Sequence, residues 1–315
     1  MKRNLYTQLI TAICLVTTLA GCIRQDQSDC YEVFLAFECI NPDYHFPEIA
    51  KELELLLYDP AGELAYDLTY TSNQLAASSW RINLTNDIPQ PGTYTVVALV
   101  NYHTGTPLSL NAKTEKETFL AEIKYNNQRW IDYTVTDSYH GIYNLDFKNN
   151  NDHTIQHTVP MSKHTNTIKL TVEFTNREAA NSLTGYSSYL VGENARYKWN
   201  YTIPPHTPVY YQPYSTTWQN GGTNLVDHHK TMRLHADGNL KLHLRFESKG
   251  THYTQILDVP QLLAKVEKNG VYLYDTNEKL ELHDYFEIKI RIGEGYTIVD
   301  LIVDDWFLIT TGEDM

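Results

Sequence analysis

The sequence predicts an all-β protein built of antiparallel sheets. Apolar residues recur at every second position in several segments, most cleanly at 168–174, 240–246 and 286–292. A period of two is typical of strands that have one buried face and one solvated face. Strands of a parallel sheet, which are buried on both faces, would instead appear as continuous apolar runs.

The earlier strands follow the same pattern. The first alternating segment places four apolar side chains on one face: Val33, Leu35, Phe37 and Cys39. In the next segment Leu53, Leu55 and Leu57 alternate, and Glu52 and Glu54 directly precede the first two of them. The segment 91–100 begins with a Pro-Gly turn and continues with β-branched and aromatic residues on both faces, so we expect it at the centre of a sheet.

Helical signals are few. Asp258 is a suitable N-cap, Pro260 is tolerated in a first turn, and Gly270 lies beyond the end of the apolar run, so a short helix is predicted after Asp258. One further helical turn is expected within 44–51.

A polar run at 148–153 separates two strand-rich parts of the chain. We therefore predict two β-sandwiches in series, covering residues 30–155 and 156–315. The segment 158–161 could pair with either of them. A length of 315 residues is sufficient for two hydrophobic cores.

Residues 1–21 have the features of a secretory signal. A basic start at Lys2 and Arg3 precedes an apolar run and small residues. The run is shorter than the roughly 20 apolar residues that span a membrane. The segment 19–22, Leu-Ala-Gly-Cys, resembles the bacterial lipobox, which implies cleavage between Gly21 and Cys22 and acylation of Cys22, with palmitate among its chains. Residues 22–29 then form a lipidated tether; the alternative is an ordinary signal peptide that happens to contain Cys22.

The composition argues against some partners and cross-links. The net charge is −13, and loss of Lys2 and Arg3 with the signal makes it more negative, so a nucleic-acid partner is not expected. If 31–40 form one strand, Cys30 and Cys39 lie about 30 Å apart at ~3.3 Å per residue. A disulfide needs Cα atoms within about 7 Å, so we expect free thiols.

The sequence gives little sign of a metal, a cofactor or a catalytic site. The histidines at 228, 229, 235 and 243 are close in sequence, but no cysteine or carboxylate completes a ligand spacing, and we expect exposed histidines. Asp304 and Asp305 are adjacent, so in a strand they point to opposite faces. The chain lacks the Gly-x-Ser-x-Gly, His-Glu-x-x-His and phosphate-loop motifs, and no enzymatic activity is predicted.

Aromatic residues cluster in one Pro- and Thr-rich segment: Tyr210, Tyr211, Tyr214 and Trp218. Aromatic faces stack on sugars and are enriched at protein interfaces. This cluster supports a surface glycan-binding lipoprotein as one hypothesis. The alternative is that tyrosine simply fills strand faces well.

Several short segments, in their order and spacing, carry a family resemblance. They are Cys30 to Phe37, Leu53 to Leu64 with its Asp-x-x-Gly turn, His140 to Leu145, Thr165 to Leu170, Tyr296 to Val303 and Asp305 to Ile309. Together with the lipobox they resemble the fimbrillin-associated anchor (minor subunit) family of type V pili. The resemblance covers the chain from about Cys22 to Ile309.

The resemblance implies two tandem transthyretin-like β-sandwiches and a non-enzymatic role. Such an anchor sits in the outer membrane, surface-exposed at the base of a fimbria, and limits the filament's length. Its partners would be outer-membrane lipid, held through Cys22, and a fimbrillin stalk subunit, joined by β-strand addition. Stalk subunits lose a first strand by arginine-specific cleavage, whereas here no arginine occurs between Arg24 and Arg81. We therefore expect the first strand to be kept; a tip or accessory subunit is the alternative role.

Overall fold

The computed structural model describes residues 32–85, 92–103, 108–147 and 154–310. We call residues 32–163 the first part and 165–310 the second part. The strands of the first part are β1 Glu32–Cys39, β2 Glu52–Tyr58, β3 Leu64–Thr71, β4 Arg81–Asn83, β5 Gly92–Val100, β6 Leu108–Asn111, β7 Leu120–Ile123, β8 Trp130–Ile131, β9 Tyr139–Phe147 and β10 Thr154–Lys163.

The second part continues with thirteen strands among its described residues. They are β11 Thr165–Phe174, β12 Leu183–Gly192, β13 Arg196–Tyr197, β14 Val209–Tyr211, β15 Pro213–Gln219, β16 Asn224–Met232, β17 Leu240–Ser248, β18 Thr251–Asp258, β19 Glu267–Lys268, β20 Val271–Tyr272, β21 Tyr285–Ile292, β22 Ile298–Val303 and β23 Trp306–Thr310.

The helices are single turns that connect strands. They are Phe46–Ile49, Ser72–Ala77, Arg177–Asn181, Val259–Leu263 and Asn277–Glu281, with 3₁₀ turns at Lys116–Thr118 and Glu294–Tyr296. Both sequence-predicted helical segments are confirmed. The Asp258 carboxylate accepts a hydrogen bond from the backbone N–H of Gln261 at 3.1 Å, which is the expected N-cap.

The first part is dominated by one seven-stranded sheet with the order β3-β2-β5-β9-β10-β1-β4. The prediction that 91–100 forms a central strand is confirmed, because β5 lies between β2 and β9. β1 is likewise an interior strand between β10 and β4. β10 begins just after the polar run at 148–153 and pairs in this first sheet, so the division at residue 155 falls within a strand and remains a proposal.

The second part stacks a six-stranded sheet, β15-β16-β11-β21-β22-β23, against a five-stranded sheet, β18-β17-β12-β14-β8. Their facing side chains share one core cluster, for example Ile168 and Ile288 with Leu242. Three pairs of described strands are parallel, namely β1–β10, β11–β21 and β14–β8. Purely antiparallel sheets were therefore the wrong expectation at these positions, because in each of them a strand pairs with one that is distant in sequence.

The seven-stranded sheet is covered on both faces. One face of β2 and β5 carries Leu55 and Val96 into a core that the helical residues Phe46 and Leu75 cover. The opposite face carries Leu56 into the core shared with the second part. The expectation of one buried and one wet face was wrong here, and Glu54 on that second face is buried.

Two strand pairs connect the first part with the second. β13 of the second part pairs with β7, and β8 of the first part pairs with β14. The segment 130–131 is thereby an edge of the second part's five-stranded sheet. The two parts are joined by backbone hydrogen bonds as well as by a common core.

A charged cluster reinforces this joint. The Lys163 ammonium, whose side chain is 9% exposed, lies 3.3 Å from an Asp137 oxygen and also contacts the Asp284 carboxylate. Tyr44 donates a hydrogen bond to the same Asp284 oxygen at 2.6 Å. Burial opposes the charge on Lys163, but the two carboxylates outweigh it and raise the pKa of Lys163 above its usual value.

Candidate functional site: an aromatic cleft beside an open strand edge

The residues of the predicted lipid anchor, Gly21 and Cys22, lie outside the described residues, as do the tether 22–29 and Cys30. Cys39 is described and carries a free thiol at the end of β1. Burial, with a smaller effect from Glu38, raises the pKa of that thiol to about 11. Cys39 is therefore an unreactive, half-buried residue beside the first core.

The expectation of exposed histidines was wrong, because His228, His235 and His243 are partly buried. His229 is fully buried. Its Nε2 lies 2.9 Å from the Ser188 hydroxyl, which also bonds to the Asp227 carboxylate. Burial lowers the pKa of His229 to about 4 despite the opposing charge of Asp227, so the imidazole is neutral. The described residues contain no group of three or more His, Cys, Asp or Glu that could hold a metal ion.

The cluster around Ser188 differs from a nucleophilic triad. In a triad the acid orients the histidine, which in turn activates the hydroxyl. Here the Asp227 carboxylate accepts hydrogen bonds from Ser188 and from the Tyr186 hydroxyl, the latter at 2.6 Å. This arrangement gives two donors to Oδ2 of a buried carboxylate, whose Oδ1 has no hydrogen-bond partner among the described residues, and it links the two sheets of the second part.

Asp304 and Asp305 lie in the turn between β22 and β23 rather than in a strand, and both have positive φ angles. Asp304 accepts a hydrogen bond from the backbone N–H of Glu287 at 2.7 Å. Its carboxylate thus fixes the turn against β21.

The structure separates the four aromatic residues of the 210–218 segment. Tyr211 is fully buried in the core and donates a hydrogen bond to Asn194 at 3.1 Å. Tyr210 lines a cleft, whereas Tyr214 and Trp218 are exposed on β15. The four residues of the sequence cluster therefore occupy three different environments: the core, the cleft and the surface of β15.

The cleft arises from an incomplete strand pairing. β14 covers only Leu190–Gly192 of β12. Residues 183–189 of β12 pair with β17 on one side and with no described strand on the other. A cleft of about 770 Å³ opens between this edge, β8, and the start of β15.

One wall of the cleft is aromatic. The Trp130 ring lies 4.8 Å from Tyr210 and 5.4 Å from Tyr189, measured between ring centroids. The Arg245 guanidinium lies over the Tyr189 ring at 5.2 Å. Trp130 comes from the first part and the other three residues from the second, so the wall depends on the β8–β14 pairing. Sequence reasoning missed Trp130 and Tyr189 because they are 59 positions apart in a chain rich in tyrosine.

The open edge of the six-stranded sheet lies beside the cleft. β15 is one of the two outermost strands of this sheet, β23 being the other, and Thr216 of β15 lines the cleft. Trp218 is 49% exposed, although its ring stacks on the buried Phe174 at 6.1 Å. Tyr214, which is 45% exposed, lies beside His228 instead. Among the described residues β15 pairs only with β16, so it presents a free backbone edge with a large aromatic side chain at the rim of the core.

A second cavity, of about 510 Å³, is lined by loops at another place in the second part. Arg233 lines it and is paired with Glu281. The Arg233 guanidinium also lies over the Tyr201 ring at 4.7 Å. The Arg233 guanidinium of this cavity is therefore already engaged by neighbouring side chains.

Layered sheets around a shared hydrophobic core, with single-turn helices as connections, define an all-β sandwich protein. The family of fimbrillin-A associated anchor proteins Mfa1 and Mfa2 matches residues 27–312. This chain therefore belongs to that family, and it is a fimbrial accessory subunit. The resemblance inferred from the sequence motifs is confirmed.

Solved structures share the fold. The fimbrial anchor protein Mfa2 of Porphyromonas gingivalis has a TM-score of 0.68 at 17% identity, covering 89% of this chain and 99% of that one. A proposed polysaccharide-binding protein of Bacteroides thetaiotaomicron has a TM-score of 0.74 at 16% identity, covering 90% and 100%. A proposed adhesin of Bacteroides ovatus has a TM-score of 0.72 at 19% identity, covering 90% and 97%. No protein with a curated description matches.

The family indicates a cell-surface fimbrial location. Among the described residues, no helix has the length and apolar character needed to cross a membrane.

Proposed function

We propose that this chain is the lipid-anchored base subunit of a fimbria, held in the outer membrane by acyl chains on Cys22 and limiting the length of the filament. Support comes from the family match over residues 27–312 and from the lipobox at 19–22. Two or more acyl chains hold a protein firmly, since each buried CH₂ contributes ~0.8 kcal/mol.

The stalk subunit joins, on this proposal, by adding a strand to β15. The observation that carries it is Trp218, a tryptophan that is half-exposed although it stacks on the buried Phe174. An open edge gains main-chain hydrogen bonds and side-chain contacts from an added strand, and is otherwise prone to non-specific pairing. A strand beside β15 would cover Trp218 and close the side of the sandwich.

The position of β1 supports a subunit that receives a strand from its neighbour and keeps its own first strand in place. β1 lies inside the first sheet, with Val33 and Leu35 buried between β10 and β4. No arginine occurs between Arg24 and Arg81, so an arginine-specific protease has no site at which to remove this strand. The subunit keeps its own first strand and is joined elsewhere.

The first experiment is deletion of the gene, followed by electron microscopy and shear-fraction blotting of surface filaments. Filaments that become longer or are shed into the medium are expected. Unchanged filaments would contradict the base role and favour the hypothesis of a glycan-binding lipoprotein.

The lipid anchor is tested by Cys22→Ala. The variant should leave the membrane fraction while keeping the far-ultraviolet spectrum and melting temperature of the parent, because Cys22 precedes the first described strand. Retention of the variant in the membrane fraction would refute acylation at this residue.

The joining edge is tested by Trp218→Ala. Filament retention at the cell surface should fall, since truncating a large aromatic anchor at an interface commonly weakens binding by about 2 kcal/mol or more. The matched control is Ile256→Ala, which removes a side chain that is 54% exposed on β18, the edge of the other sheet. Loss of filaments in the Ile256 variant alone would contradict joining at β15 and would assign it to β18.

A further inference from the structure

The aromatic wall of the cleft has free ring surface. Trp130 and Tyr210 are half-buried, and their rings are tilted by 30° to one another at 4.8 Å. Aromatic rings that keep one face accessible stack on apolar faces of ligands. The pyranose ring of a sugar offers such a face through its C–H groups.

The cleft also offers polar side chains that have no internal partner. Within the described part of the chain, the Gln128 and Gln212 amides and the Ser187 and Thr216 hydroxyls form no hydrogen bond with another residue. An amide or hydroxyl both donates and accepts, which matches the hydroxyl groups of a saccharide. Few oriented polar groups beside an aromatic surface are typical of a small-ligand site, and about 770 Å³ lies within the usual size of such sites.

The charge of the cleft differs from that of the whole chain. Arg245 is the only charged residue among the described residues that line it. Its guanidinium contacts the Tyr189 ring but no carboxylate. Asp227 lies behind the cleft, where the Tyr186 and Ser188 hydroxyls donate to it. A cationic group is therefore exposed in a protein whose net charge is −13.

We propose that this cleft binds an acidic oligosaccharide, one whose sugar units carry carboxylates. The Trp130 and Tyr210 rings stack on sugar faces, and Arg245 pairs with a carboxylate through charge-assisted hydrogen bonds. The glutamines on either side bind ring hydroxyls. Because Trp130 belongs to the first part and Arg245 to the second, the site exists only while the two parts are joined.

The competing occupant is a peptide strand that pairs with the free edge of β12 at 183–189. Such a strand would need apolar pockets for its alternate side chains. Beneath that edge lie instead the Tyr186 and Ser188 hydroxyls, both of which donate hydrogen bonds to the Asp227 carboxylate. The lining therefore favours a polyhydroxylated ligand.

The test is isothermal titration of the detergent-solubilised full chain with trigalacturonate, its methyl ester and 3′-sialyllactose. Binding of trigalacturonate or 3′-sialyllactose, and at least tenfold weaker binding of the methyl ester, is expected. The first ligand carries uronate carboxylates and the second a sialate carboxylate, so the pair identifies which acid is accepted. Failure of both to bind overturns the proposal.

The Arg245→Gln variant should weaken binding of the acidic ligand about tenfold or more, the effect of losing one charge-assisted hydrogen bond, and leave the methyl ester unaffected. The matched control is Lys241→Gln, which removes the same charge from the same exposed row of β17 without touching the cleft. Equal losses in both variants would show a general charge effect and overturn the site. Displacement of the sugar by a stalk-subunit peptide would assign the cleft to strand binding instead.

Discussion

The first sheet and the open side of the second part make opposite use of their strands. β2 and β5 are buried on both faces, and Leu55 and Leu56, neighbours in sequence, enter two different cores. Within the described ranges, β15 and residues 183–189 of β12 each have one unpaired edge, and the exposed residues there are aromatic or polar. The closed sheet is packed on both faces, whereas the open side leaves strand edges and aromatic rings exposed.

This difference predicts that substitutions in the first sheet lower stability, whereas those on the open side leave it nearly unchanged. Buried strands are close-packed, so small volume changes are costly. Exposed side chains away from special features change stability by less than about 0.5 kcal/mol. Three predictions, in order of decreasing effect, test the closed side of the comparison.

The largest effect is expected for Gly141→Ala in β9. A Cβ atom at this position would lie 2.4 Å from the Met161 sulfur and 2.8 Å from the Pro160 carbonyl oxygen. Because the oxygen belongs to the backbone of β10, it cannot move aside, and we expect a loss of about 3 kcal/mol in the free energy of unfolding. Urea denaturation measures it.

The matched control is Gly185→Ala on the open part of β12. A Cβ atom there would meet the Glu247 Oε2 at 3.1 Å, which can rotate away, and the Glu247 Cβ at 3.2 Å, so no contact falls below 3.0 Å. A change below about 1 kcal/mol is expected. Equal losses in the two variants would contradict the distinction between a closed and an open side.

A smaller effect is expected for Lys163→Met at the joint. The substitution leaves the Asp284 carboxylate, 13% exposed, without its cation. Breaking a fully buried pair costs about 3–5 kcal/mol, but Asp137 is 41% exposed, so we expect about 2 kcal/mol. The control is Lys169→Met, whose partner Glu287 is 47% exposed, with an expected loss below about 1 kcal/mol by urea denaturation. Similar losses would show that the joint is an ordinary surface contact.

The smallest effect is a pH dependence from buried His140. Burial, with a smaller effect from Arg233, lowers the pKa of His140 to about 3, below its ordinary value near 6.5. Between these two values the unfolded chain binds a proton that the folded chain does not, so stability falls as the pH falls below about 6.5.

Between pH 6.5 and 5 the parent should lose about 1.5 kcal/mol of stability through His140, and the His140→Gln variant should not show this loss. Melting curves across that range measure the slope. The exposed His252→Gln variant should keep the slope of the parent. An unchanged slope in the His140 variant would mean that this imidazole is solvated.

The strands that alternate cleanly were predictable from sequence. β11, β17 and β21 bury every second residue, and their periods were read correctly because only one face meets a core. β2 was misjudged at Glu54, which is buried beside Lys113 at 2.7 Å. A strand's own sequence does not reveal that a second layer covers its polar face.

The cleft was predictable only in part. Tyr210 was singled out with its aromatic neighbours, but Trp130 was not, because the two meet through a parallel pair between distant segments. The alternation along β12 likewise does not indicate where β14 stops covering it. Sites formed by the end of a strand pairing depend on topology, which local patterns do not encode.

The strand pairs β7–β13 and β8–β14 also determine how the molecule carries load. A pull that separates the two parts must break these hydrogen bonds together with the Lys163 cluster and the shared core. Tension is thus spread over several elements at once, instead of passing through the single covalent crossing at His164. A force applied to one part would therefore reach the other through paired backbones as well as through the connecting peptide.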